Sequence, residues 1–160
     1  MVKEKHRGSL VKVIIITGLV AGILDGSAAL IQLTIRGSKN PLSVFNYIAS
    51  GVFGDAALSG GNSMMVVGVI FHLSIATIWT ALFFLSYKYI NGPVKNWRLA
   101  GFLYGIVVWA GMNLVVLPLS NIPPRNITVS GSITAALILI LCIGLPVSYS
   151  ANRYFRQTHV

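Results

Sequence analysis

The sequence predicts an all-α integral membrane bundle: four transmembrane helices, with a short interfacial or re-entrant helix between the first and the second. Three observations predict it. Of the 160 residues, 55% are hydrophobic and only 9% are charged, where soluble domains carry roughly a quarter charged. A chain with mean hydropathy +0.79 would aggregate in water, so its solvent is lipid. The apolar residues fall in four runs of about the 20 residues that a bilayer requires. The basic residues collect in the gaps between those runs, where orientation signals sit.

The residues up to position 12 form a basic tail with Lys3, Lys5, Arg7 and Lys12. The first span is expected over 13–35. Its start has the look of a signal peptide, with Ser27-Ala28-Ala29 as a cleavage site. Against that, the apolar run continues to Ile35 and Asp25 would sit badly in a signal core. Read as a helix, Gly18, Ala21, Gly22, Ala28, Ala29 and Gln32 lie around Asp25 at helical spacings and share its face. Small residues around one acid make a face for another helix rather than for lipid. The ridge Gly18-x-x-x-Gly22-x-x-x-Gly26 is expected to pack inside the bundle, with homodimerisation as the alternative.

After Arg36 and Lys39, Asn40-Pro41 reads as a cap followed by proline at the first helical position. A helix over 41–53 follows, too short to span. Ser43, Asn46 and Ser50 make its polar stripe, and it is expected at the interface or folded back on the bundle. The stretch Gly54 to Gly61 breaks it, and Asn62-Ser63 can cap the next helix. The second span is expected over 64–87, with Gly68, His72, Ala76 and Thr80 marking one face. Tyr87, Tyr89, Trp97 and neighbouring lysines and Arg98 form an aromatic-basic border around a turn at Asn91-Gly92-Pro93. The third span, over 99–119, opens with the close-packing pair Gly101 and Gly105 and contains Asn113 and Pro118. The fourth, over 131–149, is almost wholly aliphatic and carries Pro146. A basic tail over 152–160 closes the chain.

Counting Lys and Arg on alternate sides puts nine with the termini and three opposite (Arg36, Lys39 and Arg125). The positive-inside rule then places both termini in the cytoplasm. The net charge of +9 is spread over these gaps rather than gathered in one patch, so no nucleic-acid partner is expected. The partner is the lipid bilayer, with a homo-oligomer possible in principle. The lone Cys142 can form no intramolecular disulfide and has no companions for a metal site. No metal and no cofactor are expected. There is no H-E-x-x-H, paired-carboxylate or P-loop pattern, and no serine has the setting of a triad nucleophile. Asn126-Ile127-Thr128 matches a glycosylation sequon but stands only a few residues from the membrane.

One polar cluster stands out. At about 1.5 Å per residue, Asp25, His72 and Asn113 lie about 15, 12 and 10 Å below the end of the bundle opposite the termini. Gln32 and Thr17 extend that layer along the first helix. An ionised aspartate at mid-bilayer costs at least about 2.5–3.5 kcal/mol, and His72 is the only histidine inside a span able to share a proton with it. Two readings follow. The cluster ties helices together by hydrogen bonds worth about 0.6–2 kcal/mol each, or it is a proton or ligand site inside the bundle.

Two strings carry a resemblance: Phe45 to Gly54, with Ile48-Ala-Ser-Gly-Val-Phe-Gly54 at its centre, and Met112-Asn113-Leu-Val-Val-Leu-Pro118-Leu-Ser120. With Asp25 and His72, the chain from Gly18 to Pro146 resembles a group of small four-pass bacterial inner-membrane proteins, loosely grouped with YagU-type proteins. The resemblance implies a bacterial plasma membrane; it implies no activity and transfers no functional residue. The expected function is therefore non-enzymatic: a structural, accessory or stress-related membrane protein. The alternative is a small proton-linked transporter or channel subunit acting through Asp25, His72 and Asn113. A third is an intramembrane enzyme acting on lipid, with His72 and Asp25 as acid and base.

Overall fold

The computed structural model describes residues 5–90, 94, 96–122 and 128–158. The start of the basic tail, the turn at Asn91-Gly92-Pro93, Lys95, Arg125 and Asn126 of the sequon lie outside the described residues. The described chain is helical, with no strand among the described residues. Helices α1 (Lys5–Ile35), α2 (Ser43–Phe53), α3 (Asp55–Ser59) and α4 (Gly61–Ile90) come first. Helix α5 (Trp97–Gly111) runs into a π turn, Met112–Val116. Helix α6 (Val129–Leu139) continues through a second π turn, Ile140–Gly144, into α7 (Leu145–Thr158). Four stretches are long and apolar enough to cross a membrane: Leu10–Ile35, Gly61–Tyr87, Trp97–Val116 and Val129–Arg156.

The distribution of side-chain size shows which solvent this bundle fits. On α1, Ala21 is fully buried, yet the large Ile23 two residues on is 59% exposed. A water-soluble bundle would bury the isoleucine. Here small residues face protein and large aliphatic ones face outward, as lipid allows. The α1 ridge lies against α4. A Cβ on Gly18 would come within 2.7 Å of the Thr77 Cα, and one on Gly22 within 3.0 Å of the Ala76 Cβ. Gly101 and Gly105 make the second close crossing, against the π turn after α6. A Cβ at 101 would stand 2.8 Å from the Gly144 carbonyl oxygen, and one at 105 would stand 2.5 Å from the Ile140 Cα.

Both π turns precede a proline by the same interval. Leu117 N–H bonds the Met112 carbonyl at 2.9 Å, and Leu145 N–H bonds the Ile140 carbonyl. Pro118 and Pro146 follow directly. Proline brings no N–H and its ring presses on the carbonyl four residues back. A widened turn just upstream is one way a helix accommodates it. The outcomes differ. After Pro118 the chain leaves the helix in turns, so the third span ends at Val116 rather than at the expected 119. Through Pro146 the helix continues to Thr158, well past the expected 149. The reason is packing: Ala151 is fully buried, Phe155 stacks on Tyr87 at 4.6 Å, and Tyr87 Oη donates to Asn152 Oδ1 at 3.2 Å. The expected tail over 152–160 is thus helical to Thr158, and the first helix likewise begins at Lys5, inside the expected N-terminal tail.

The short helix departs most from a simple amphipathic reading. Asn46 and Ser50, two of its three polar residues, are buried, while Leu42, Val52 and Phe53 face outward. Helix α2 is folded back onto α4, and its polar side does the fastening. Asn46 Nδ2 donates to the carbonyls of Ala57 at 3.1 Å and Gly61 at 2.9 Å, clamping α2 to α3 and to the start of α4. Asn121 holds the other end, its N–H donating to the Gly51 carbonyl and its Nδ2 to that of Val52. The expected break at Gly54 is real: φ +59° with ψ −145° is a conformation essentially confined to glycine. The remainder of that stretch forms α3. Asn62 and Ser63 lie inside the first turn of α4 and do not cap it, and α2 starts at Ser43, after a turn in which the Asn40 backbone carbonyl accepts from Ser43.

The clamp makes a testable point. Asn46→Ala should cost about 1–3 kcal/mol, the range for stranding buried partners, and lower the thermal midpoint in detergent. Asn46→Asp, which keeps the shape but cannot donate, should do no better. Wild-type melting in both variants would show that the two bonds do not hold α2.

Candidate functional site

The glycine ridge of α1 lets α4 approach closely enough for His72 to reach the α1 backbone. Its Nε2 donates to the Gly22 carbonyl at 2.9 Å. Gly26 leaves the space for this: a Cβ there would stand 3.2 Å from the same nitrogen. Asp25 Oδ2 lies 3.7 Å from His72 Nε2, and both side chains are 16% exposed. The imidazole N–H is directed at a carbonyl, so its contact with the carboxylate is electrostatic rather than a short hydrogen bond. Helix α2 closes the far side of the ring, with Phe45 edge-on to His72 at 6.1 Å between centroids.

Beside the pair is a cavity of about 70 Å³. By the measure of roughly 10–15 Å³ needed per water molecule, it has room for several. Asp25 and His72 are among the residues that line it, but the surface it exposes is almost wholly apolar. Ile48 of α2, Ile75, Ala76 and Trp79 of α4, Val108 and Met112 of the third span, and Leu139 and Ile143 of the fourth make up the rest. The aromatic wall is fixed in place. Trp79 Nε1 donates to Met112 Sδ at 3.4 Å, and Tyr104 Oη donates to the Trp79 carbonyl.

Of the polar residues singled out from the sequence, the structure brings Asp25 and His72 together. Asn113 stands apart: its Nδ2 donates to the Trp109 carbonyl of its own helix at 2.8 Å, and the third span offers Met112 to the cavity instead. Asn113 lies within the π turn, close to the helix end at Val116, and so nearer the end of the bundle than a span ending at 119 implies. Gln32, seven residues beyond Asp25, is half-buried and outside the cavity wall. Thr17 lies toward the other end, its hydroxyl 2.7 Å from that of Ser150. Gly18, Gly22 and Gly26 face α4, whereas Gly101 and Gly105 belong to the separate crossing with the fourth span.

Sequence reasoning missed Trp79, Met112 and the part played by α2. A signal for the first was present, because Trp79 lies seven residues after His72 and so on nearly the same helical face. For Met112 the signal was its place four residues after Val108, on the same face of the third span and before the π turn shifts the register. One carboxylate and one imidazole can exchange or hold a proton, or bind a cationic group. Among the described residues no group of three potential ligands could hold a metal ion.

No family model matches this chain, and neither a curated protein nor a solved structure shows significant similarity to it.

Proposed function

We propose that this chain is a non-enzymatic protein of a bacterial plasma membrane, with both termini cytoplasmic, in a structural or accessory role for which Asp25 and His72 tie α1 to α4. The observation that carries the reading is the position of His72 Nε2, on the Gly22 carbonyl and beside the Asp25 carboxylate, across the α1–α4 crossing. The nine-to-three distribution of basic residues supports the orientation.

A double-mutant cycle on ligand-free protein in detergent tests the tie. His72→Ala should cost about 2 kcal/mol through the lost bond, the lost contact with Phe45 and the space it leaves. Asp25→Asn should cost less, and the double variant less than the sum, with a coupling of about 0.6–1.7 kcal/mol. A zero coupling, with Asp25→Asn as stable as wild type, would sink the tie. A second reading, a small proton-linked transporter or channel subunit, is favoured by one observation: a small cavity lies beside the pair, with Asp25 and His72 among its lining residues.

A further inference from the structure

The end of the bundle that carries the termini has an excess of charge that the chain cannot balance. Nine of its residues are basic and one, Glu4, is acidic; the other two acids are Asp25, inside α1, and Asp55, at the opposite end. At most one of the nine cations can be neutralised there from within the chain, so the compensating anions come from outside it. Such an excess orients a chain in the membrane. Here part of it is also mounted on an aromatic frame. Ser148 Oγ donates to the Trp97 carbonyl at 2.7 Å, which holds the fourth span against the start of α5. The next residue, Tyr149, is exposed and meets the Trp97 ring edge-on at 5.3 Å between centroids. Arg98 lays its guanidinium over the same indole, 5.5 Å from the ring centre.

Arg153 follows Tyr149 by four residues, so it stands on the same face of α7, about 6 Å farther from the membrane centre. Both arginines are exposed, and among the described residues neither has an ion-pair partner. In the other direction the seam turns apolar. Phe102, one turn from Arg98, is exposed, and Leu145, one turn from Tyr149, lies against Gly101 of α5. Cation, aromatic ring and apolar strip therefore follow one another along the membrane normal. Tryptophan and tyrosine rings sit at headgroup level, and the guanidinium fork matches phosphate. Stacking on the indole holds the Arg98 fork in place. An acidic protein or a nucleic acid would meet the charge but would leave the apolar strip unused.

We propose that the seam between α5 and α7 binds an anionic phospholipid, its phosphate at Arg98 and Arg153, its glycerol region at Trp97 and Tyr149 and one acyl chain along Phe102 and Leu145. The site lies away from Asp25 and His72 and goes beyond the helix tie. It takes its anionic leaflet from the orientation proposed above, because the cytoplasmic surface of a membrane carries the negative lipids that basic residues attract.

The probe is dioleoyl phosphatidylglycerol, titrated into the purified full chain in non-ionic detergent with the thermal midpoint as readout. Wild type should be stabilised in a saturable way. Dioleoyl phosphatidylcholine, with the same chains and no net charge, should have no such effect, and neither should glycerol phosphate, which brings the anion without chains. Arg98→Gln combined with Arg153→Gln should raise the half-saturating concentration by about tenfold or more, since each cation near an anionic lipid surface contributes about fivefold. Arg153→Gln alone, which leaves the Trp97 stack intact, should raise it by about fivefold and decides the matter if the double variant does not fold. Arg36→Gln with Lys39→Gln, at the opposite end, should respond as wild type does. An equal response to phosphatidylcholine or to glycerol phosphate overturns the proposal. So does an undiminished response in a folded Arg98 or Arg153 variant, or an equal loss in the Arg36 and Lys39 variant. None of these substitutions touches Asp25 or His72, and binding in detergent does not depend on orientation, so the lipid site fails or stands apart from the tie.

Discussion

Gly68→Ala should be among the most damaging single-methyl substitutions in this protein. A Cβ at position 68 would be driven into the backbone of α2, at the Phe45 carbonyl and Cα. No side-chain rotamer can relieve a clash with backbone, so α2 must lift away from α4. The cost should exceed the usual overpacking range of about 1–3 kcal/mol, because the displacement also breaks other contacts. Phe45 leaves His72, Phe53 leaves Phe71, and the Asn46 bonds to Ala57 and Gly61 are strained. The checks are the thermal midpoint and amide hydrogen exchange over residues 43–53, which should accelerate far more than exchange in α5. Unchanged exchange in that segment would mean that α2 does not rest on Gly68.

The second large effect is expected where the third and fourth spans cross. A Cβ on Gly105 would stand 2.5 Å from the Ile140 Cα, again a backbone atom. Gly105→Ala should destabilise by about 2–4 kcal/mol, since two helices must separate to admit one methyl. Gly144→Ala meets the Gly101 carbonyl at the same crossing. The two should be strongly non-additive, because the first separation makes room for the second methyl. Gly51→Ala is the control. A Cβ there meets Ile122 and Ser120 only at van der Waals distance, 3.6 Å. In the interior of α2, that change should be neutral or stabilise by up to about 1 kcal/mol, from helix propensity. Equal losses at 51 and 105 would contradict the crossing described here.

These contrasts show where the sequence is informative and where it is silent. The four spans are legible because hydrophobic length is a property of a segment alone, set by the thickness of the bilayer rather than by neighbouring helices. Small-residue faces are legible for a related reason, since the i, i+4 spacing follows from the helix itself. The facing of α2 is not legible. Its polar stripe, Asn46 and Ser50, fits water at an interface and fits the backbone carbonyls of α3 and α4 equally well. Only contact with Ala57 and Gly61 decides between them. The π turns also escape notice. Each precedes a proline, but the same residue type ends one helix and leaves the other running to Thr158: beyond Pro118, Asn121 bonds the end of α2 at Gly51 and Val52, whereas beyond Pro146, Phe155 of the continuing helix stacks on Tyr87.

The candidate site divides in the same way. The sequence by itself determined that one acid and one histidine lie at similar depth on two apolar helices, and that α1 carries a ridge without side chains. Both follow from composition and helical period. That His72 directs its N–H at Gly22, that a small apolar cavity lies beside the pair, and that Met112 rather than Asn113 completes its wall were decided only by the tertiary structure. Direction and distance across a crossing depend on how closely two helices approach and how a widened turn rotates one of them, and neither is a property of a single segment.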